Sequence, residues 1–267
     1  MGKAALAATA GLLLVAAPCT AQTAARFCPN RPSLGSSTCI TDPGRVMAEN
    51  SGVDWLRDDD PAGERRDTLL FGDLLLREGL DARTEAQLSW TPVARLRTRA
   101  VAGGPVDVVT GSGDVRLGLR RSLRRPDGEG LSIALEGFVT VPTGARDIGR
   151  GDWSAGAIVP VSLSVGDWSL AFTGEVDADT DEVRTGHHPA AAATFGIGHD
   201  LASGLFATVE LAVRRDQDPD TAHTEWMTAA SFAWQVHENA QVDLLFAAGL
   251  NRAAPDLRFA VGGARLF

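Results

Sequence analysis

Residues 131–141 read LSIALEGFVTV, and their alternation decides the fold. Leu131, Ile133, Leu135, Val139 and Val141 share one face, while Ser132, Ala134, Glu136 and Thr140 share the other. Period two is the signature of a strand, because successive Cβ atoms point to opposite sides of the pleat. The scheme recurs along the chain. WSLAFTGEVD (168–177) sets Trp168, Leu170, Phe172 and Val176 against Ser169, Thr173, Glu175 and Asp177. LFATVELAVR (205–214) sets Leu205, Val209, Leu211 and Val213 against Thr208, Glu210 and Arg214, and VDLLFAAGLN (242–251) sets Val242, Leu244, Phe246 and Leu250 against Asp243 and Asn251.

Extended over the chain, the pattern predicts twelve strands: 45–57, 67–78, 83–93, 113–123, 131–143, 152–165, 168–179, 187–200, 204–215, 223–236, 240–252 and 256–267. Most exceed the ~5–6 residues of a globular strand and are long enough to cross a bilayer when tilted. Short turns (79–82, 124–130, 166–167, 201–203, 237–239) alternate with longer polar connections (58–66, 94–112, 144–151, 180–186, 216–222) and a short one at 253–255. Short turns at one end and long loops at the other are the pattern of an up-and-down outer-membrane barrel. The expected fold is therefore all-β, an antiparallel outer-membrane β-barrel of about twelve strands over 45–267, with both termini periplasmic.

Composition agrees and excludes other classes. A mean hydropathy of −0.02 is what strands with one lipid face and one polar face average to. No internal run approaches the ~18 apolar residues of a membrane helix. A net charge of −9 leaves no basic surplus for nucleic acid. Residues 1–21 carry Lys3, an Ala/Leu stretch and Ala21, which together read as a signal peptide. Its removal leaves 24 Arg, no Lys and 34 acids, a net charge of −10. Export brings oxidising conditions, so Cys28 and Cys39 are expected to pair, stiffening a periplasmic segment (22–44) ahead of the barrel.

Aromatic placement is a further test. Trp55, Trp90, Trp153 and Trp226 fall near the outer strand ends, and Trp168 and Trp234 near the inner, as a membrane girdle requires. The chain ends on a strand at Phe267, the type of residue through which the barrel-assembly machinery reads a last strand. The expected surroundings are outer-membrane lipid and lipopolysaccharide.

The inward face carries Glu85, Arg116, Arg120, Glu136, Glu175, Glu210, Arg214 and Asp243. In a narrow lumen such charges either pair into a structural network or line a polar pore. Arg116, Arg120, Glu136, Glu175, Glu210, Arg214 and Asp243 are the candidate lumen-lining residues. Acidic runs mark the outer loops: Asp58, Asp59 and Asp60; Asp179, Asp181 and Glu182; Asp216, Asp218 and Asp220. His187 and His188 follow the second run, but neighbours in a strand point opposite ways and cannot easily reach one ion. No metal site and no cofactor is expected. None of the five histidines has a Ser partner motif, and GSGD (111–114) leads into a strand, so no enzyme is expected.

A series of segments in order carries a resemblance: CPNRPSLGSSTCITDPGR (28–45), GDLLLREGL (72–80), GDVRLGLR (113–120), FVTVPTG (138–144), GDWSLAFTGEVD (166–177), IGHDL (197–201) and LLFAAGLNRAAPDLRFAVGGARLF (244–267). Through them the chain resembles the outer-membrane transporter family named after the meta-cleavage pathway of phenol degradation. The resemblance implies a barrel of this size, export to the outer membrane and transport of small molecules, and it supplies no catalytic residues. The terminal Arg-Leu-Phe departs from it by placing Arg265 where an aromatic is expected. The expected function is a channel or transporter for a small solute by passive diffusion. Its alternatives are a closed structural barrel with a salt-bridged lumen and a soluble periplasmic β ligand-binding protein.

Overall fold

The computed structural model describes residues 25–60, 63–184 and 186–267. The expected signal peptide lies outside the described residues. The chain forms β1 (Val46–Asp59), β2 (Arg65–Asp81), β3 (Thr84–Trp90), β4 (Val93–Arg99), β5 (Val106–Gly111), β6 (Val115–Arg124) and β7 (Leu131–Val141). It continues through β8 (Ser154–Val165), β9 (Trp168–Thr180), β10 (His187–Ala202), β11 (Leu205–Asp216), β12 (His223–His237), β13 (Ala240–Gly249) and β14 (Leu257–Leu266).

All pairings between these strands are antiparallel, and β1 joins both β14 and β2, which closes the sheet into a barrel. β3 and β4 pair with successive stretches of β2, and are one strand interrupted at Thr91-Pro92. β5 and β6 likewise pair with β4 and β3, so the wall has twelve strands. The connection expected over 94–112 is therefore a hairpin extending β3 and β6 at the loop end. Its arms, VARLRTR and VDVVTG, are separated from the wall strands by Pro92, which has no N–H to donate, and by Gly113.

Register follows the alternation, with shifts near the turns at Gly79/Asp81, Ser122/Arg124, Asp200/Ala202 and Gln235/His237 and one within β1. β1 shifts against β14 between Ser51 and Val53, so Ser51 and Asp54, three residues apart, are both buried in the interior. On β2, Gly72 takes φ +69 at the same level, a conformation glycine adopts without a Cβ clash.

The usual inside and outside are exchanged. Large apolar side chains, among them Leu119, Leu170, Phe195, Val209 and Phe246, are exposed around the outside. Arg77, Glu49, Glu85, Arg120, Glu136, Glu210 and Asp243 are buried inside. An exposed apolar belt on a closed barrel suits only lipid as its solvent.

Residues 25–44, expected on the periplasmic side ahead of the barrel, instead run inside it. A strand cylinder of this size has a polar interior to fill, and this segment supplies backbone N–H groups and hydroxyls that the inward carboxylates accept. Small apolar clusters seat it against the wall: Leu34 on Ala229, Leu245, Ala247 and Ala260, and Phe27 on Met47, Ala264 and Leu266.

Candidate functional site in the lumen

The disulfide between Cys28 and Cys39 (Cα–Cα 6.2 Å) closes a loop that sits across the lumen. Its carbonyls meet β2: the Arg77 guanidinium donates to Cys28 O (2.9 Å) and to Cys39 O (2.7 Å). Arg77 also donates to Glu85 (2.9 and 3.1 Å) and to Glu49 (3.1 Å), so two carboxylates and two carbonyls surround one buried cation. Glu49 in turn accepts the backbone N–H of Asn30 (2.8 Å) and of Arg31 (2.9 Å), and Glu85 accepts that of Thr41 (2.7 Å). Isolated charges would be costly here; shared in this way each is compensated.

The segment is pinned around its whole circumference. The Arg31 guanidinium donates to Asp243 on β13 (2.7 Å) and to Ser51 on β1. The Ser33 hydroxyl and the Leu34 N–H donate to Glu210 on β11 (2.6 and 2.9 Å). Ser36 N–H donates to Thr173 on β9 (2.9 Å), and the Thr38 hydroxyl lies 2.8 Å from that of Ser162 on β8.

The seven candidate residues divide into two groups. Arg120, Glu136, Glu210 and Asp243 are buried in the network around the segment. Arg120 is fully buried, donates to Glu136 (2.7 Å), Asn30 and Ser36, and lies 3.4 Å from Glu85. Arg116, Glu175 and Arg214 line a separate polar space of about 220 Å³ nearer the loop end, together with Phe138, Asp177 and Asp179. There Arg116 stacks on the Phe138 ring (3.4 Å to its centroid) and lies 3.6 Å from Glu136. Arg214 bridges Asp177 (2.9 Å) and Asp179 (2.8 Å). Glu49, Arg77 and Arg31 were not singled out from the sequence. The poor alternation of β1 and β2 hides the first two, and Arg31 lies in a stretch with no periodicity at all.

Beyond the segment on the terminal side, a cavity of about 740 Å³ is bordered by Ser162, Ser169, Phe206, Thr208 and Gln241. On its other face a cavity of about 240 Å³ reaches Asp73, Ser89 and Arg258. Asn30, Arg31, Pro32 and Ser33 border both cavities.

The girdle and terminal candidates lie on the outside. Trp90, Trp153, Trp168, Trp226 and Trp234 are exposed, and Trp55 donates from Nε1 to Asp67 (3.2 Å). Trp153 packs on His187 and Trp168 on His199, each with centroids 4.2 Å apart. Phe267 is exposed, its backbone exchanges hydrogen bonds with Val46, and Arg265 sits 5.2 Å above its ring.

The family described as "Putative MetA-pathway of phenol degradation" matches residues 30–265. The chain belongs to this family. The match begins inside the lumen segment, so for this phenol-degradation-pathway family member the segment and the barrel wall fall within one family unit. Among solved structures, a KdgM porin superposes with a TM-score of 0.51 at 9% identity, covering 83% of this chain and 99% of its own. A KdgM porin in complex with disordered oligogalacturonate gives 0.50 at 9% identity, with the same coverage. No curated protein matches the chain. The fold is that of an outer-membrane porin-type barrel.

Proposed function

We infer that this barrel is an outer-membrane channel for small solutes, working by passive diffusion, whose conductance is set by the segment threaded through its lumen. The observation that carries the reading is that the same four residues, Asn30 to Ser33, border the cavities on both faces of the segment. Displacing a few hydrogen-bonded residues would join those spaces. Arg116, Glu175 and Arg214 would line the path nearer the loop end, and Arg120, Glu136, Glu210 and Asp243 would hold the constriction. The exposed tryptophans would sit at the two membrane interfaces beside lipid and lipopolysaccharide, and Phe267 would present the last strand to the assembly machinery. Catalysis has no part in this reading.

Planar-bilayer recording tests it. The wild-type barrel is expected to give small unitary currents, and Asp243→Asn combined with Ser33→Ala, which loosens two anchors of the segment, is expected to enlarge them. Silence from both proteins, with no solute uptake into liposomes, would sink the channel and favour the closed structural barrel. That second reading rests on the density of ion pairs around Arg77 and Arg120.

A further inference from the structure

Away from the lumen segment, at the mouth opposite the termini, the end of β9, the start of β10 and the end of β11 bring one imidazole among four carboxylates. Strand alternation separates the two adjacent histidines. His187 turns to Trp153, placing Nε2 2.8 Å from its carbonyl oxygen. His188 turns the other way and is only 5% exposed. Its Nδ1 lies 2.9 Å from Asp181 Oδ1 and 3.6 Å from Asp218 Oδ2. In the neutral tautomer whose Nδ1–H donates to Asp181, the Nε2 lone pair is free.

Nε2 is buried and makes no hydrogen bond, and the nearest carboxylate oxygen, Asp216 Oδ1, lies 2.8 Å away. One ligand atom from each of Asp179, His188 and Asp216 can be chosen so that all lie within 4.8 Å of one another. Tetrahedral ligands 2.0–2.1 Å from a zinc ion are about 3.3 Å apart, so these atoms would draw together on binding. An imidazole whose second nitrogen is held by a carboxylate is also how a metal-bound histidine is normally oriented.

Charge points the same way. Asp177, Asp179, Asp181, Asp216 and Asp218 gather here, and the cations in contact with them besides His188 are Arg214 and Arg150. Asp218 is further compensated by the backbone N–H groups of Glu182, Asp220 and Thr221. The remaining negative charge is of the size a divalent ion neutralises.

We propose that this mouth binds one divalent transition cation of the zinc class through His188 Nε2, Asp216 and Asp179, with Asp181 as the positioning residue for the imidazole. The nitrogen ligand selects zinc, cobalt or nickel over calcium and magnesium, which prefer all-oxygen shells. The fourth position would be left to solvent, as in zinc sites with three protein ligands. Such an ion would join the ends of β9, β10 and β11 at the opening.

Calorimetric titration of the folded, chelator-stripped barrel in detergent with Zn²⁺ is the test, with Co²⁺ absorption as a second readout. One ion per chain is expected, together with the visible band of four-coordinate cobalt. His188→Ala and Asp216→Asn should each weaken binding at least about ten-fold, and Asp181→Ala by about ten-fold or more through loss of the orienting bond. His199→Ala, at the opposite barrel end and packed on Trp168, should leave it unchanged. Each variant must keep the heat-modifiable migration of a folded barrel; should His188→Ala fail to, the two aspartate variants decide. Absence of stoichiometric binding by the wild type would overturn the site, leaving His188 as a charged clasp between the loops. Binding unchanged in the folded variants, or displaced by equimolar Ca²⁺, would overturn it equally.

Discussion

At the scale of single residues, Arg77 shows how this interior is built. Five N–H groups fill one side chain's capacity, and five hydrogen bonds leave it: two to Glu85, one to Glu49 and one each to the carbonyls of Cys28 and Cys39. Planarity lets a guanidinium serve four partners in one plane, which an ammonium cannot. Replacing Arg77 with Met leaves Glu49 and Glu85 buried without their cation, and is expected to cost about 3–5 kcal/mol. Arg77→Lys should recover only a minor part. Urea unfolding of the lipid-folded barrel measures both, and an unchanged midpoint for Arg77→Met would contradict the assignment. In the sequence Arg77 stands after Leu74, Leu75 and Leu76, a run that erases period two. A single arginine in a membrane strand nevertheless has to face inward or reach an interface, and that was the available signal.

At the scale of elements, strand alternation from Leu131 onward was legible because it is a local property that needs no knowledge of neighbours. What the pattern does not contain is the partner of each face. A loop is the sequence reading of 94–112, yet the chain runs there as β4 and β5, since β4 continues the pairing with β2 and β5 pairs with β4 alone. The rim cluster was hidden for a related reason. Adjacency of His187 and His188 argues against a shared ion, whereas Asp179, Asp181, Asp216 and Asp218 are brought to His188 only by the registers of β9, β10 and β11. Loop 217–222 has its own organiser in Asp218. The backbone N–H of Glu182, followed by those of Asp220 and Thr221, holds its carboxyl below the usual carboxylate range. A depressed pKa means the order it confers is complete above the ordinary value of about 3.9 and is lost as pH falls through the lower, folded one. Hydrogen exchange at the amides of Glu182, Asp220 and Thr221 should therefore keep constant protection factors from neutrality to about pH 5 and lose them below about pH 4. Loss already at pH 6 would show that another group holds the loop.

At the scale of the whole molecule, barrel and lumen segment form one unit, with the apolar surface turned to lipid and the polar one turned to residues 25–44. Of this plan the sequence displayed the wall. It did not display the filling, because RFCPNRPSLGSSTCI has neither period and its partners are spread over eight strands. The disulfide stiffens the filling rather than the wall. Replacing Cys28 and Cys39 with Ser is therefore expected to leave a folded, heat-modifiable barrel whose segment is cut faster by protease and whose conductance is larger. Closing a loop of this length is worth roughly 3 kcal/mol in chain entropy, enough to shift the segment's order without unfolding the wall. Equal protease sensitivity in the two proteins would show that the ion pairs alone hold it.

Arg31 connects these levels. Its guanidinium reaches Asp243 on β13 and Ser51 on β1, and its backbone N–H reaches Glu49, so it spans the line along which β1 meets β14. The first and last strands are far apart in the chain, and their pairing is the slowest kind of contact to find. A residue bonded to both sides of that line makes an occupied cylinder easier to shut than a vacant one. The ring closes around its own beginning, and Arg31→Ala is expected to slow refolding into detergent more than it speeds unfolding.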